Sequence, residues 1–258
     1  MTGCRAVLFD LDDTLVDHRS ASFAALGALR DRYPALAAVA AGELDKEHRR
    51  LLEQVHAQML DGKLTKDEAR VERFRRLFRH YGRELTAGDA GEVVSLYRRI
   101  YQDCQKPVKG AVELLQLLRG RVTVGIVTNN PTAQQVAKLR FCGLTPYVDF
   151  MVTSEDAGVP KPDRAIFDRA LSLAGCSPSQ AVVIGDSWHY DVLGAHAAGI
   201  RAVWFDRDGT GEPPDRSPWG RGVPVVRSLS PAGPVADLLM QISGTAEAAC
   251  VGESAHHP

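Results

Sequence analysis

The chain has 258 residues, of which 45% are hydrophobic and 24% are charged, and its formal net charge is −1. This length suits one large hydrophobic core together with a smaller inserted or second domain. The small net charge provides no general attraction to nucleic acid or to an anionic membrane, and no segment approaches the roughly 18 apolar residues of a membrane-spanning helix. We therefore expect neither a nucleic-acid polymer nor a membrane among its partners.

The cysteine pattern indicates a reducing compartment. The five cysteines are odd in number, are scattered along the chain and never form a Cys-x-x-Cys pair: Cys4, Cys104, Cys142, Cys176 and Cys250. This spacing favours thiols over a disulfide framework or a zinc site. The sequence also begins without a signal-peptide pattern, so we expect a cytoplasmic protein.

The first predicted element is a buried strand, Ala6 to Phe9, that ends at two carboxylates. Asp10 and Asp12 are spaced i, i+2, so their side chains leave an extended strand on the same face. Unpaired aspartates are not tolerated inside a buried strand, and we expect them at its carboxyl end, where water or a cation reaches them. In open α/β sheets this edge is the one that binds ligands.

Residues 19–105 are predicted to form a separate helical unit. Apolar residues at helical spacing recur through this stretch, and Thr65-x-x-Glu68 is a capping-box pattern. Pro34 is expected to end the first helix. The predicted helices cover about residues 20–33, 43–60, 65–81 and 86–101.

From Pro107 onward, predicted strands alternate with helices. Repeats of this kind indicate a doubly wound, parallel α/β sheet with helices on both faces, a Rossmann-like core. We assign residues 1–18 and 106–243 to this core and residues 244–258 to a disordered tail. The later strands are predicted at 122–127, 150–153, 181–184 and 202–205.

Each predicted core strand ends at a polar residue suited to one task. Thr128 ends the second strand before a helix with Pro131 at position N1, which favours an anion site, although a plain helix cap is the other interpretation. Lys161 precedes Pro162, predicted at N1 of another helix. Asp186 and Asp191 follow the fourth strand. Carboxylates, a lysine and a threonine at one sheet edge suit Mg²⁺ and phosphate.

In this order, the strand-end motifs resemble the haloacid dehalogenase (HAD) superfamily, over about residues 5–206. The motifs are Asp10-x-Asp12-x-Thr14, Thr128, Lys161-Pro162 and Gly185-Asp186-Ser187-x-x-x-Asp191. The helical insertion is similar to the α-helical C1 cap of subclass I. The resemblance implies a Rossmann-like core with an inserted cap domain.

The resemblance also implies catalytic roles. Asp10 would be the nucleophile that forms an aspartyl-phosphate, and Asp12 would be the general acid and then the general base. Thr128 and the Asn129 backbone N–H would bind phosphoryl oxygens, and Lys161 would offset negative charge.

A magnesium site follows from the same resemblance. The Asp10 carboxylate, the Asp12 carbonyl and Asp186 would hold Mg²⁺. Asp191 would not bind the metal directly but would orient metal-bound waters or Lys161. Together, the cation and the lysine would remove the repulsion between an anionic nucleophile and an anionic phosphate.

These roles favour a Mg²⁺-dependent phosphatase acting on a small phosphate monoester, of the nucleoside monophosphate or sugar phosphate class, as a monomer or homodimer. The dehalogenases of the superfamily lack an acid at the position of Asp12. A phosphonate hydrolase would need a cap lysine, and nothing marks Lys46, Lys63 or Lys66 as buried. A phosphomutase and a non-catalytic phosphate-ligand-binding protein stay open as alternatives.

Substrate choice is expected to depend on the cap. Four cap side chains are candidates for facing the substrate, with packing or solvation as the other interpretation: His18, Phe23, Arg70 and Arg73. His18 and Arg19 are also the nearest candidates for the cap acid–base group of a mutase, but their spacing from Asp10 does not fit that role.

Overall fold

The structure is a computed structural model that describes residues 3–60, 62–209 and 218–242. The chain divides into two compact units, one formed by Met1–Asp17 with Lys106–Pro258 and the other by His18–Gln105. The tail predicted at residues 244–258 lies outside the described residues. No helix in the described ranges is both long and apolar enough to cross a membrane.

The described residues of the unit His18–Gln105 form helices joined by turns and loops, with no strand among them. Its helices are α1 (His18–Arg32), α2 (Pro34–Ala37), α3 (Ala41–Leu60), α4 (Lys66–His80) and α5 (Ala87–Asp103). The sequence predicts four of these. The short helix α2 was missed because Pro34, expected only to end a helix, also begins the next one at position N1, where its missing N–H costs nothing.

Caps and aromatic packing hold the helical unit together. The predicted capping box is present, because the Thr65 hydroxyl accepts from the Glu68 N–H and the Glu68 carboxylate accepts from the Thr65 N–H at 2.8 Å. Helix α1 packs against α5, and α3 packs against α4. Their shared core includes Phe74, Phe78 and Tyr97.

The other unit is built on a parallel sheet. In its described residues the strands are β1 (Ala6–Phe9), β2 (Thr123–Thr128), β3 (Phe150–Thr153), β4 (Ala181–Gly185), β5 (Arg201–Phe205) and β6 (Val225–Val226). Their spatial order is β3-β2-β1-β4-β5-β6, with every neighbouring pair parallel. The predicted doubly wound α/β fold is confirmed, and β1 lies at the point where the strand order reverses.

Helices cover both faces of this sheet. They are α6 (Ala111–Leu118), α7 (Thr132–Phe141), α8 (Ser154–Ala157), α9 (Arg164–Ala174), α10 (Gly194–Ala197), α11 (Pro218–Arg221) and α12 (Ala232–Ile242), with a π-helical segment at Trp188–Leu193. Phe9 belongs to a core cluster that contains residues of α6, α7 and α12. Its neighbour Leu8 belongs to the cluster that contains residues of α9 and α10. This alternation is the expected result of a strand buried on both sides.

Two proline positions differ from prediction. Pro131 is the N-cap of α7 and not N1, so the helix begins at Thr132. Pro162 lies two residues before α9, which begins at Arg164. Asp163 takes the N-cap of α9 because its carboxylate accepts a hydrogen bond from the Ala165 N–H at 2.8 Å, an interaction that proline cannot supply.

Candidate active site

The carboxyl end of β1 positions Asp10 and turns the chain sharply after it. The Asp10 N–H donates to the Ile184 carbonyl at 3.0 Å, which extends the β1–β4 pairing by one residue. Asp13 then adopts the left-handed conformation, with φ of 63°, which aspartate tolerates better than most residues. The Asp13 N–H donates to the Val16 carbonyl at 2.7 Å and closes the turn. The Thr14 hydroxyl is buried and has no hydrogen-bond partner among the described residues.

A buried ammonium group joins two of the predicted carboxylates. Lys161 Nζ donates to Asp10 Oδ1 at 2.7 Å and to Asp191 Oδ1 at 2.6 Å. Burial raises the pKa of Asp10 to about 7, even though Lys161 acts in the opposite direction. Burial alone would lower the pKa of Lys161, but the attraction of the two carboxylates outweighs it and raises that pKa. Lys161 is therefore a permanent cation beside the predicted nucleophile.

The side chain of Asn129 fixes the backbone of Lys161. Asn129 Nδ2 donates to the Lys161 carbonyl at 3.0 Å, and the Lys161 N–H donates to Asn129 Oδ1 at 2.6 Å. This pair of bonds links the loop after β2 to the loop before α9. The resemblance implies a role only for the Asn129 backbone. The role of its side chain was not predicted and is seen in the structure.

A close approach of side chain to backbone places Asp191 under the end of β4. A Cβ at Gly185 would collide with the Asp191 carboxylate, so glycine is needed at this position. The Ser187 N–H donates to Asp191 Oδ2 at 3.0 Å, and the Trp204 indole donates to the Asp186 carbonyl at 2.9 Å. The backbone at Asp186 is thus held from the neighbouring strand.

The acidic cluster suits a divalent cation. Asp10, Asp186 and Asp191 each offer a carboxylate oxygen, and these atoms lie within 4.8 Å of one another. Lys161 balances one of these three negative charges, and a divalent cation suits the remaining pair. An all-oxygen donor set of this size is typical of Mg²⁺ sites, which keep other positions for water and substrate phosphate.

Asp12 points to a different set of partners. Its Oδ2 accepts from Asn130 Nδ2 at 2.8 Å and from Gln135 Nε2 at 2.9 Å, and its Oδ1 accepts from Lys138 Nζ. Gln135 Nε2 also donates to the Thr128 hydroxyl at 2.7 Å. The predicted site residues of this unit thus lie at one edge of the sheet. Three residues that were not predicted lie beside them: Asn130, Gln135 and Lys138.

Comparison with known sequences decides the family. Residues 4–199 match the family described as haloacid dehalogenase-like hydrolase. The chain belongs to the haloacid dehalogenase-like hydrolases.

Relatives of this hydrolase have names within the same enzyme class. The HAD-hydrolase YfnB of Bacillus subtilis is 30% identical over 79% of this chain and 85% of its own length. A ribulose-1,5-bisphosphate 5-phosphatase of Halopiger xanaduensis is 32% identical over 78% and 84% of the two chains. The pyrimidine 5′-nucleotidase PynA of Streptococcus pneumoniae is 31% identical over 78% and 83%. The predicted class, a HAD-type phosphoric monoester hydrolase, is confirmed.

A solved structure agrees with the fold of this hydrolase. The crystal structure of YfnB bound to magnesium superposes with a TM-score of 0.72 at 26% identity, over 91% of this chain and 99% of the YfnB chain.

The three unpredicted residues left a weak signal in the sequence. Asn130 lies in the loop after β2, and Gln135 and Lys138 lie one helical turn apart on α7. Both helix positions are buried, although a helix that covers a sheet normally places apolar side chains there. Polar residues at inward positions of the helix that begins just after Thr128 mark Gln135 and Lys138 as unusual, without showing which atoms they contact.

Three of the four candidate cap residues have partners within the helical unit. His18 Nδ1 lies 2.7 Å from the Tyr101 hydroxyl, and Arg70 pairs with Asp67 at 2.7 Å. The Arg73 guanidinium lies over the Phe74 and Tyr97 rings, at 4.7 and 5.3 Å from their centroids. Phe23 is exposed.

Proposed function

We propose that this HAD hydrolase is a Mg²⁺-dependent phosphatase that hydrolyses a small phosphate monoester through an aspartyl-phosphate on Asp10. The observation that carries the proposal is the arrangement of Asp10, Lys161, Asp186 and Asp191 at the carboxyl end of the sheet. It combines a carboxylate nucleophile, a buried cation and an oxygen donor set for a metal.

Asp10 is the nucleophile in this proposal. One carboxylate oxygen of Asp10 is already paired with Lys161, and the other has no hydrogen-bond partner among the described residues. The second oxygen is therefore the one available to attack phosphorus. Lys161 holds the carboxylate in place and stabilises the negative charge that accumulates on the phosphoryl oxygens.

Asp10, Asp186 and the Asp12 carbonyl are the groups that would hold Mg²⁺. When bound, the cation supplies Lewis-acid stabilisation of the phosphoryl oxygens and lowers the repulsion between them and Asp10. Asp191 keeps Lys161 charged and oriented, because its Oδ1 receives the ammonium and its Oδ2 receives the Ser187 N–H.

Asp12 is the general acid in the first half of the reaction and the general base in the second half. It donates a proton to the leaving oxygen as the ester P–O bond breaks and the bond between Asp10 and phosphorus forms. It then accepts a proton from water as water attacks phosphorus and the Asp10 carboxylate leaves. The Thr128 hydroxyl and the Asn129 N–H bind phosphoryl oxygens during both steps.

The relatives favour two substrate classes. PynA is named for nucleotide hydrolysis and the Halopiger enzyme for hydrolysis of a sugar phosphate. We therefore propose nucleoside monophosphates or sugar phosphates as substrates. We further propose a cytoplasmic location, since the five cysteines lack the spacing of a disulfide framework. We propose a monomer or a homodimer as its oligomeric state.

A panel assay tests the substrate class. Inorganic phosphate release is measured for nucleoside monophosphates, sugar phosphates, phosphoglycolate and 4-nitrophenyl phosphate, with Mg²⁺ and with EDTA. 2-Chloropropionate with chloride detection is the control for dehalogenation. Mg²⁺-dependent release from a nucleotide or sugar phosphate is expected. Chloride release without phosphate release, or transfer of phosphate between two positions of one sugar, would contradict the proposal.

A further inference from the structure

The carboxylate of Asp12 lies among donors that come from one short stretch of chain. Asn130 donates to it from the loop after β2, and Gln135 and Lys138 donate to it from α7. The distances are 2.8 Å from Asn130 Nδ2 and 2.9 Å from Gln135 Nε2 to the same oxygen, while Lys138 holds the other oxygen. Both oxygens of Asp12 are therefore held, which fixes the rotation of the carboxylate as well as its place.

Burial separates this arrangement from an ordinary surface ion pair. Gln135 is fully buried and Lys138 is 7% exposed. Burial of an ammonium group costs hydration free energy. A protein with apolar side chains in place of a buried ion pair is often at least as stable. The neighbouring Leu139 does pack in the core, so α7 already has an apolar anchor beside Lys138. Stability alone does not explain a lysine at this position.

Gln135 also sets the direction of the hydrogen bond that Thr128 makes. Its Nε2 donates to Asp12 Oδ2 and, at 2.7 Å, to Thr128 Oγ1. The opposite amide orientation would place an oxygen against the Asp12 carboxylate, so the amide hydrogens must face both groups. Because the Thr128 oxygen accepts from Gln135, the hydroxyl hydrogen is left to donate elsewhere, as a phosphoryl-binding donor requires.

We propose that Lys138 is a positioning residue that holds Asp12 for proton transfer, and that Gln135 couples this position to Thr128. The proposal rests on the proposed phosphatase function. In the first half-reaction the proton moves from the neutral Asp12 carboxyl to the leaving oxygen, and in the second it moves from water to the Asp12 carboxylate, which restores the carboxyl. Without Lys138 the carboxylate can rotate away, so both proton transfers slow while phosphate binding is retained.

The leaving group separates the two half-reactions. Nitrophenolate departs without a proton, so forming the aspartyl-phosphate from 4-nitrophenyl phosphate does not need Asp12 in position. Hydrolysis of that intermediate does need it. Lys138→Met should therefore convert a steady release of nitrophenolate into a burst of about one equivalent per enzyme, followed by a slow phase.

The experiment compares Lys138→Met, Lys138→Arg and the matched control Arg140→Met, which removes one exposed positive charge from the same helix. With the best alkyl phosphate of the panel and Mg²⁺, Lys138→Met should lower kcat by about 10²-fold with KM within about twofold of wild type. Lys138→Arg should recover part of kcat, and Arg140→Met should match wild type.

A second variant covers the case in which Lys138→Met does not fold. Asn130→Ala removes one donor from a partly exposed loop residue and should lower kcat by about tenfold, again with unchanged KM. An active wild type with unchanged kcat and no burst in Lys138→Met, or in Asn130→Ala if Lys138→Met is unfolded, would overturn the positioning role alone. A wild type that releases no phosphate from any ester would overturn the proposed function and this inference with it.

Discussion

Lys161 and Asp191 form an ion pair of 2.6 Å in which the two side chains are 3% and 2% exposed. The same ammonium group contacts Asp10 at 2.7 Å. One cation thus fixes two carboxylates that would otherwise repel each other in a buried site. A buried pair of this kind adds little net stability, but removing one partner leaves an uncompensated charge.

Replacing that cation should destabilise the fold in a pH-dependent way. Lys161→Met is expected to lower the free energy of unfolding at pH 7.5 by about 3–5 kcal/mol, because Asp10 and Asp191 lose their counter-charge. Lys161 lowers the pKa of Asp10, so that pKa rises in the variant, the folded state binds a proton more readily and the loss shrinks as the pH falls to 5. Denaturant titration at both pH values measures this. Lys109→Met, at an exposed position, is the control, and equal losses at the two pH values would refute the prediction.

Gly185→Ala should displace Asp191. An added Cβ would collide with the Asp191 carboxylate, whose neighbours leave it little room to move. We expect a loss of about 1–3 kcal/mol in unfolding free energy and a fall in kcat of at least about tenfold. Gly91→Ala, in α5 with no atom near the new Cβ, provides the matched control. Wild-type kcat in Gly185→Ala would show that the position of Asp191 does not matter.

Asp186→Asn should weaken metal binding without disturbing the backbone. The Trp204 indole holds the carbonyl of Asp186, so the loop keeps its anchor when the side chain changes. Calorimetric titration with Mg²⁺ should give an affinity at least about tenfold below wild type, because one anionic ligand is lost. Asp168→Asn on the exposed face of α9 is the comparison. Equal affinities in the two variants would remove Asp186 from the metal site.

His48 should make the helical unit sensitive to acid. It is 1% exposed, and neither ring nitrogen has a hydrogen-bond partner within the described part of the chain. Burial lowers its pKa well below the ordinary value of 6.5, with further lowering from Arg73, His18 and Arg49. The unfolded state therefore binds the proton first, and stability falls as the pH drops below about 6.5, by at most about 1.4 kcal/mol per pH unit from this group.

His48→Phe tests this effect, because it keeps an aromatic ring beside Phe74 and Tyr97 and removes the titration. Denaturant midpoints between pH 7 and pH 5 should fall less steeply in this variant than in wild type. His80→Gln, at an exposed position of α4, should keep the wild-type slope. Parallel curves for wild type and His48→Phe would contradict the assignment.

The sequence predicts the ends of strands well and the inner faces of helices poorly. Asp10 and Lys161 could be placed together because parallel strands bring their carboxyl ends to one edge, whatever the details of packing. Gln135 and Lys138 could not be placed in the site, because the helical period shows which face of α7 is buried but not which polar atoms that face contacts. Pro34 illustrates the same limit, since one residue can end one helix and begin another.

The most direct test of the phosphatase mechanism is phosphate release by wild type and Asp10→Asn, on the best substrate of the panel, with Mg²⁺ and with EDTA. Asp10 supplies the attacking oxygen, so Asp10→Asn should lower kcat by at least about 10⁴-fold. EDTA should abolish turnover by wild type, and circular dichroism should show that both proteins are folded. Turnover by Asp10→Asn at the wild-type rate, or wild-type turnover unaffected by EDTA, would contradict the account.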